Sequence, residues 1–233
     1  MKKKSNFLKN LFLPALTISI IFFLFVPNVF ADSISLGESL SETLIDSKDP
    51  INTWNEFSDS EKEAIKSFSE RGKSKITELE KKDLNSNELN NEILSLTDDV
   101  QKAIFVSLLP VNEKSEVVTD GNNITANYNV TQRVWYEGIW GNKLAQISHN
   151  ILWSASGSTV TSGSRSVFPD TPGLGWSYKG LIRDENKRTS SAYSSDIQGS
   201  FSYNVGAYNV QNWYPRSQIV GYSNGTYKST TYN

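Results

Sequence analysis

Two hydrophobic periods divide the chain near residue 112. Before that point apolar side chains recur at three- and four-residue intervals, the spacing of one helix face. Ala64, Ile65 and Phe68 follow a Ser58/Glu61 pair, Leu89, Ile93 and Leu94 follow Asn85-Ser86, and Val100, Ala103, Ile104 and Leu108 follow Thr97-Asp98-Asp99 and stop before Pro110. Ser58 with Glu61 is a capping box, in which the hydroxyl accepts a backbone amide and the carboxylate accepts the cap's own amide. Three short helices are predicted, the first ending at Gly72, with acids gathered in first turns where the helix dipole favours negative charge. Their apolar stripes are narrow. Short helices with so little to bury are marginal alone, so this segment is expected to pack on the second half or to stay partly unfolded.

Beyond Ile124 the period changes to two. Ala126, Tyr128, Val130, Val134 and Tyr136 share one face, and Thr125, Asn127, Asn129, Thr131 and Arg133 share the other. This alternation of β-favouring residues predicts a strand. Gly138 to Asn142 turns the chain into a second run with Ala145, Ile147, Ile151 and Trp153 on one face. Further runs cover 159–168, 175–182, 197–211 with a break at Gly206, and 218–231, separated by turn residues at Ser156-Gly157, Pro169 to Gly175, Asp184 to Asn186 and Ser223 to Gly225. The fold class read from this order is α+β: short N-terminal helices, then an antiparallel β-sandwich or small barrel of about six to seven strands. The expected organisation is 1–31 signal peptide, 32–112 acidic helical segment, 113–122 linker and 123–233 aromatic-rich β domain.

The signal peptide rests on Lys2, Lys3, Lys4 and Lys9, an apolar run from Leu11 to Val26, and Val29-Phe30-Ala31, whose small or aliphatic positions suit cleavage after Ala31. The long basic start and the frequent Asn, Lys, Ser and Ile point to a Gram-positive bacterium and a secreted product. Charge then separates the halves. Residues 32–112 hold 17 acids and 9 bases, a net of −8, whereas 113–233 hold 8 acids and 10 bases, a net of +2. All ten Tyr and five of the six Trp lie after residue 112. A −8 segment joined to a +2 domain suggests docking of the acidic helices on the basic residues between Lys179 and Arg188, masking them.

Composition removes much chemistry. With no Cys there is no disulfide framework, thiolate nucleophile or thiolate metal site, and a lone His149 builds no multi-histidine metal centre. No cofactor and no metal is expected. His149 falls on the side of Ile147 and Ile151, which favours a packed, hydrogen-bonded histidine over a catalytic one. Glu137, Asp170, Asp184, Glu185 and Asp196 are the carboxylates of the β region; a glycosidase needs two of them about 5 to 9 Å apart, which spacing in sequence does not provide. Neither a phosphate loop nor a nucleophile elbow is present.

The aromatic surplus is the distinctive signal. Trp140 between glycines, Trp176 after a Pro-Gly turn, and Trp213-Tyr214 before Pro215 are expected at the surface, where rings stack on sugar faces or settle at a membrane interface. Lys179 and Arg183 are the neighbouring bases expected to draw an anionic polymer or membrane surface. The binding residues read from sequence are therefore Trp140, Trp176, Trp213, Tyr214, Lys179 and Arg183. They favour a secreted, non-catalytic binding protein of a cell envelope or other extracellular surface, with cell-wall glycan or anionic membrane as partner. A membrane-active, bacteriocin-like toxin and an extracellular hydrolase are the alternatives. Nucleic acid is not expected, because the basic excess is small.

Overall fold

The computed structural model describes residues 34–119, 126–206, 208 and 211–232; the expected signal peptide and residues 120–125 lie outside them. Among the described residues five helices come first: α1 (34–45), α2 (Pro50–Glu56), α3 (Asp59–Glu80), α4 (Ser86–Leu94) and α5 (Asp98–Ser107). The Ser58/Glu61 capping box is formed, and Asn85 makes a second one with Glu88 at the start of α4. Gly72 does not end a helix. It lies inside α3 at the crossing with α5, where a Cβ would meet the Ala103 carbonyl at 2.3 Å, and Gly37 of α1 similarly faces the Ala64 carbonyl of α3 at 2.1 Å. The two glycines let three helix backbones approach each other more closely than any side chain permits. Helix α1 was not predicted; its inward Leu40, Ser41 and Leu44 are too few to make a periodic signal. Lys102 of α5 ties it down through Glu42 at 2.7 Å and Glu38 at 3.2 Å.

Nine strands follow among the described residues: β1 (Asn112–Thr119), β2 (Asn127–Glu137), β3 (Lys143–Ser156), β4 (Thr159–Asp170), β5 (Trp176–Arg188), β6 (Ala192–Tyr203), β7 (Gln211–Trp213), β8 (Arg216–Tyr222) and β9 (Tyr227–Tyr232). Both sheets are antiparallel, one in the order β1-β2-β3-β4 and the other β5-β6-β8-β9 with β7 added beside β6. The α+β reading holds, and of its two alternatives the sandwich is the one formed. Residues 113–119, expected within a linker, instead form most of β1, whose exposed faces carry Glu, Lys and Ser rather than an apolar alternation. Asp184 to Asn186, expected as a turn, lies within β5, because Arg165 of β4 forks onto Asp184; the chain turns after Arg188 instead.

The helical segment and the near half of the sandwich bury one core. Helix α5 is enclosed from Gln101 through Ser107, and Phe105 stacks on Tyr203 of β6 at 5.0 Å while accepting the Tyr203 hydroxyl proton on its carbonyl at 3.2 Å. The Trp176 indole donates to the Leu108 carbonyl at 3.4 Å. A smaller cluster of Val130, Ile151, Trp153, Val160, Tyr193 and Ile219 fills the far half.

Between the two clusters runs a polar layer one residue thick. Gln132, His149, Ser195 and Ser217 occupy inward positions on β2, β3, β6 and β8, and all four are buried. Ser217 Oγ gives its proton to Gln132 Oε1 at 2.6 Å, so it accepts from His149 Nδ1 at 2.8 Å, and His149 Nε2 accepts from Ser195 Oγ at 2.9 Å. Each bond crosses from one sheet to the other. Both ring nitrogens are occupied in a neutral imidazole with no exposed surface, which makes the histidine structural.

Two outcomes follow from this packing. Replacing Phe105 by Ala opens a core cavity and is expected to cost about 3–5 kcal/mol. Far-UV helix signal and near-UV aromatic signal should still be lost in a single transition at lower denaturant; helices that melt first while the aromatic signal persists would show that the ring does not couple them. The second outcome concerns acid. Burial, aided by the Arg165 charge, pushes His149 down to about 4, whereas an unfolded histidine titrates near about 6.5. Between those values the unfolded chain takes up a proton that the native one refuses, so this stability is complete above the unfolded value and falls by about 3 kcal/mol as pH drops to the folded one. His149→Gln should flatten the dependence of Tm on pH across that window, and an NMR titration placing His149 near its unfolded value would refute the account.

Candidate functional site

The open end of the sandwich, where β6, β7 and β8 meet α2 and the start of β1, forms a cleft of about 710 Å³. Strand β7 alternates sharply: Trp213 turns into the core and Asn212 turns out. Trp213 sits against Tyr136 with ring centroids 4.1 Å apart, and its indole donates to Glu113 Oε2 at 2.9 Å. Glu113 is half-buried, and desolvation raises its pKa while the indole hydrogen bond lowers it. Tyr136 titrates well above the usual phenol range because of burial, with Glu113 and Asp49 adding to the effect.

The rim is aromatic and polar. Tyr214 is 48% exposed and Tyr232 40% exposed. The Arg216 guanidinium lies 4.4 Å from the Tyr232 ring centroid and grips Asp196 in a two-pronged pair at 2.9 and 2.7 Å. This pair, with Arg183 on the other side, holds the Asp196 carboxyl below its ordinary range. Asn52, Asn55, Asn112, Gln198 and Asn212 supply amides. Among the described residues, the Asn55 and Asn212 side chains have no hydrogen-bond partner in the protein, so their donors and acceptors are open to a ligand.

The residues read from sequence are distributed unevenly over this surface. Tyr214 and Trp213 reach the cleft, but Trp213 is only 3% exposed and contributes its floor rather than a free face. Trp176, expected at the surface, is 6% exposed, because it stacks on Tyr203 at 5.3 Å under the helical segment. Trp140 is half-buried in a different place, a 270 Å³ hollow beside α3, where the Lys73 ammonium lies 4.0 Å from its ring centroid. Arg183 is occupied by Glu185 at 2.8 Å and Asp196 at 2.9 Å. Lys179 is exposed in a neighbouring cleft. Sequence reasoning missed Tyr232, Glu113 and the asparagines. The amides beside Trp213-Tyr214 in the Gln211-Asn212 step were the available signal.

Among the described residues no ion pair joins the acidic helices to the 179–188 bases. The helical ion pairs stay within the helical segment, as in Arg71 with Asp99 and Lys82 with Glu92, while Asp184 and Arg183 of β5 pair with sheet residues. Among the described residues no cluster of His, Asp and Glu is suited to a metal, and no helix is long and apolar enough to cross a membrane.

No protein-family model and no curated protein matches the chain. Among solved structures it is similar to a two-domain protein of unknown function from Bacteroides thetaiotaomicron VPI-5482, at 18% identity over 47% of each chain with a TM-score of 0.25. The match spans about half the length of that protein.

Proposed function

We propose that this chain is a secreted, non-catalytic binding protein acting at a bacterial cell envelope or other extracellular surface, and that its ligand is a glycan held in the cleft beneath Tyr214 and Tyr232. The observation that carries the reading is the pairing of two exposed tyrosine rings with a row of amides, two of which have unused hydrogen-bonding capacity. A sugar presents an apolar face of C–H groups and an equatorial fringe of hydroxyls. Rings bind the first, and amides, being both donor and acceptor, bind the second.

The alternatives draw less support. A hydrolase needs carboxylates free to exchange protons with substrate. Here Asp49 caps α2 through the Asn52 amide at 3.1 Å and Glu113 accepts the Trp213 indole, so both lining acids are tied to the framework. A pore-forming toxin needs a hairpin that can detach. The serine-rich β3–β4 hairpin bears Ile147, His149, Ile151 and Trp153 on its inward face, and releasing it would dismantle both core clusters and the polar layer.

Isothermal titration with peptide-free cell-wall glycan strands is expected to show binding that Tyr214→Ala weakens about tenfold, equivalent to ~1.4 kcal/mol. Absence of binding, or equal binding by the variant, would overturn the glycan assignment. Secretion is read separately: mature protein should accumulate in culture supernatant with Asp32 as its first residue, and a product that keeps Met1 in the membrane fraction would contradict it.

A further inference from the structure

A second cleft, of about 640 Å³, opens between α4 and strands β5, β6 and β7. Asn212 lines it as well as the first cleft, so the two clefts adjoin at β7. The second cleft has the same kind of lining: Asn87, Asn90, Asn204, Ser177 and Ser202, over the edge of Trp176. Asn87 and Asn204, like Asn212, have side chains without a protein hydrogen bond among the described residues. Asn90 Oδ1 accepts from the Gly206 backbone amide at 3.1 Å, and its side-chain NH2 makes no hydrogen bond among the described residues.

The two clefts differ in charge. Asp49 and Glu113 line the first, and its Arg216 is already neutralised by Asp196. The second contains no acid, and its Lys179 makes no ion pair or hydrogen bond among the described residues. An extended ligand spanning both clefts therefore meets acids at one end and an unneutralised ammonium at the other. Like charge repels and opposite charge attracts within the Debye length of about 8 Å.

We infer that the two clefts are a single binding site for an acidic polysaccharide strand, one whose neutral sugars lie over Tyr214 and Tyr232 and whose carboxylate-bearing sugar is placed against Lys179. The charge asymmetry also fixes the direction in which the strand lies, because the reversed pose would bring its carboxylate to Asp49 and Glu113. This inference rests on the glycan reading above. It adds the acidic substituent, the second half of the site and the strand's orientation.

The test uses the full mature chain and two probes of equal length: peptide-free wall glycan strands bearing lactyl carboxylates, and the same strands with those carboxylates converted to neutral amides. The wild type should bind the acidic strand about tenfold more tightly, the worth of one charge-assisted hydrogen bond, and the advantage should shrink with added salt. Lys179→Gln should reduce the ratio to about one by weakening the acidic strand far more than the amidated one; Lys179 is exposed, so folding is not at stake. Tyr214→Ala should weaken both probes equally. If the wild type binds the two probes alike, or if Lys179→Gln preserves the preference, the inference fails while the glycan reading stands on the Tyr214 effect. If neither probe binds, both fall.

Discussion

Everything at the cleft end of this protein depends on a run of packed aromatic rings that passes from helix to sheet. Tyr208 packs on Phe105 at 4.9 Å, Phe105 on Tyr203 at 5.0 Å, Tyr203 on Trp176 at 5.3 Å, Trp176 against Tyr136 at 6.1 Å, and Tyr136 on Trp213 at 4.1 Å, with Phe201 and Tyr178 closing the series. Each such pair adds about 0.5–1.5 kcal/mol beyond the area it buries. More important is what the run connects. Phe105 belongs to a segment whose own apolar stripe is too narrow to hold three helices together, and its ring lies in the sandwich core. The rings that complete this core, Trp176, Tyr136 and Trp213, are the same ones that floor the two clefts. Helix attachment and site construction are thus one packing problem.

The polar layer at Gln132, His149, Ser195 and Ser217 answers a different need. Two facing sheets with uniformly apolar inner surfaces can slide by two residues without exposing anything polar. Placing four groups with complementary hydrogen-bonding needs at one level removes that freedom, since any other alignment buries unpaired donors and acceptors at about 1–3 kcal/mol apiece. The layer also divides the sandwich, isolating the small far cluster around Trp153 from the ring series that serves the clefts.

Much of this was legible in the sequence, and the failures have physical causes. Capping boxes and two-residue alternation are local signals, so α3, α4, α5, β2 and β3 could be read from neighbouring residues alone. Strand β1 could not, because an edge strand exposed on most of its length needs no apolar alternation. Gly72 misled because glycine marks both a helix stop and a close helix crossing, and only the partner backbone at Ala103 distinguishes them. The cleft lining was half legible. The aromatic surplus led to the cleft that Trp213 and Tyr214 line, but tryptophan's size makes it core material as readily as surface material, and Trp176 went inside. The asparagines escaped notice since an amide carries no pattern until a cleft gathers several of them.

The uneven charge of the two halves takes on a different meaning once the cleft walls are known. An acidic segment beside a mildly basic domain suggests a mask, but the ion pairs of the helical acids are with helical bases, Arg183 of β5 pairs with Glu185 and Asp196, and Lys179 makes no ion pair among the described residues. What the helical segment brings to the site is amide rather than charge: Asn52 and Asn55 from α2 on one side, Asn87 and Asn90 from α4 on the other. A lid would cover the aromatic floor; these side chains border it. The segment therefore forms one wall of each cleft, and under the proposed glycan reading a β domain without it would lose recognition instead of gaining it. The acids serve the segment itself, as caps in first turns and as partners for lysines, which lets helices with little apolar surface hold their shape along a polar groove.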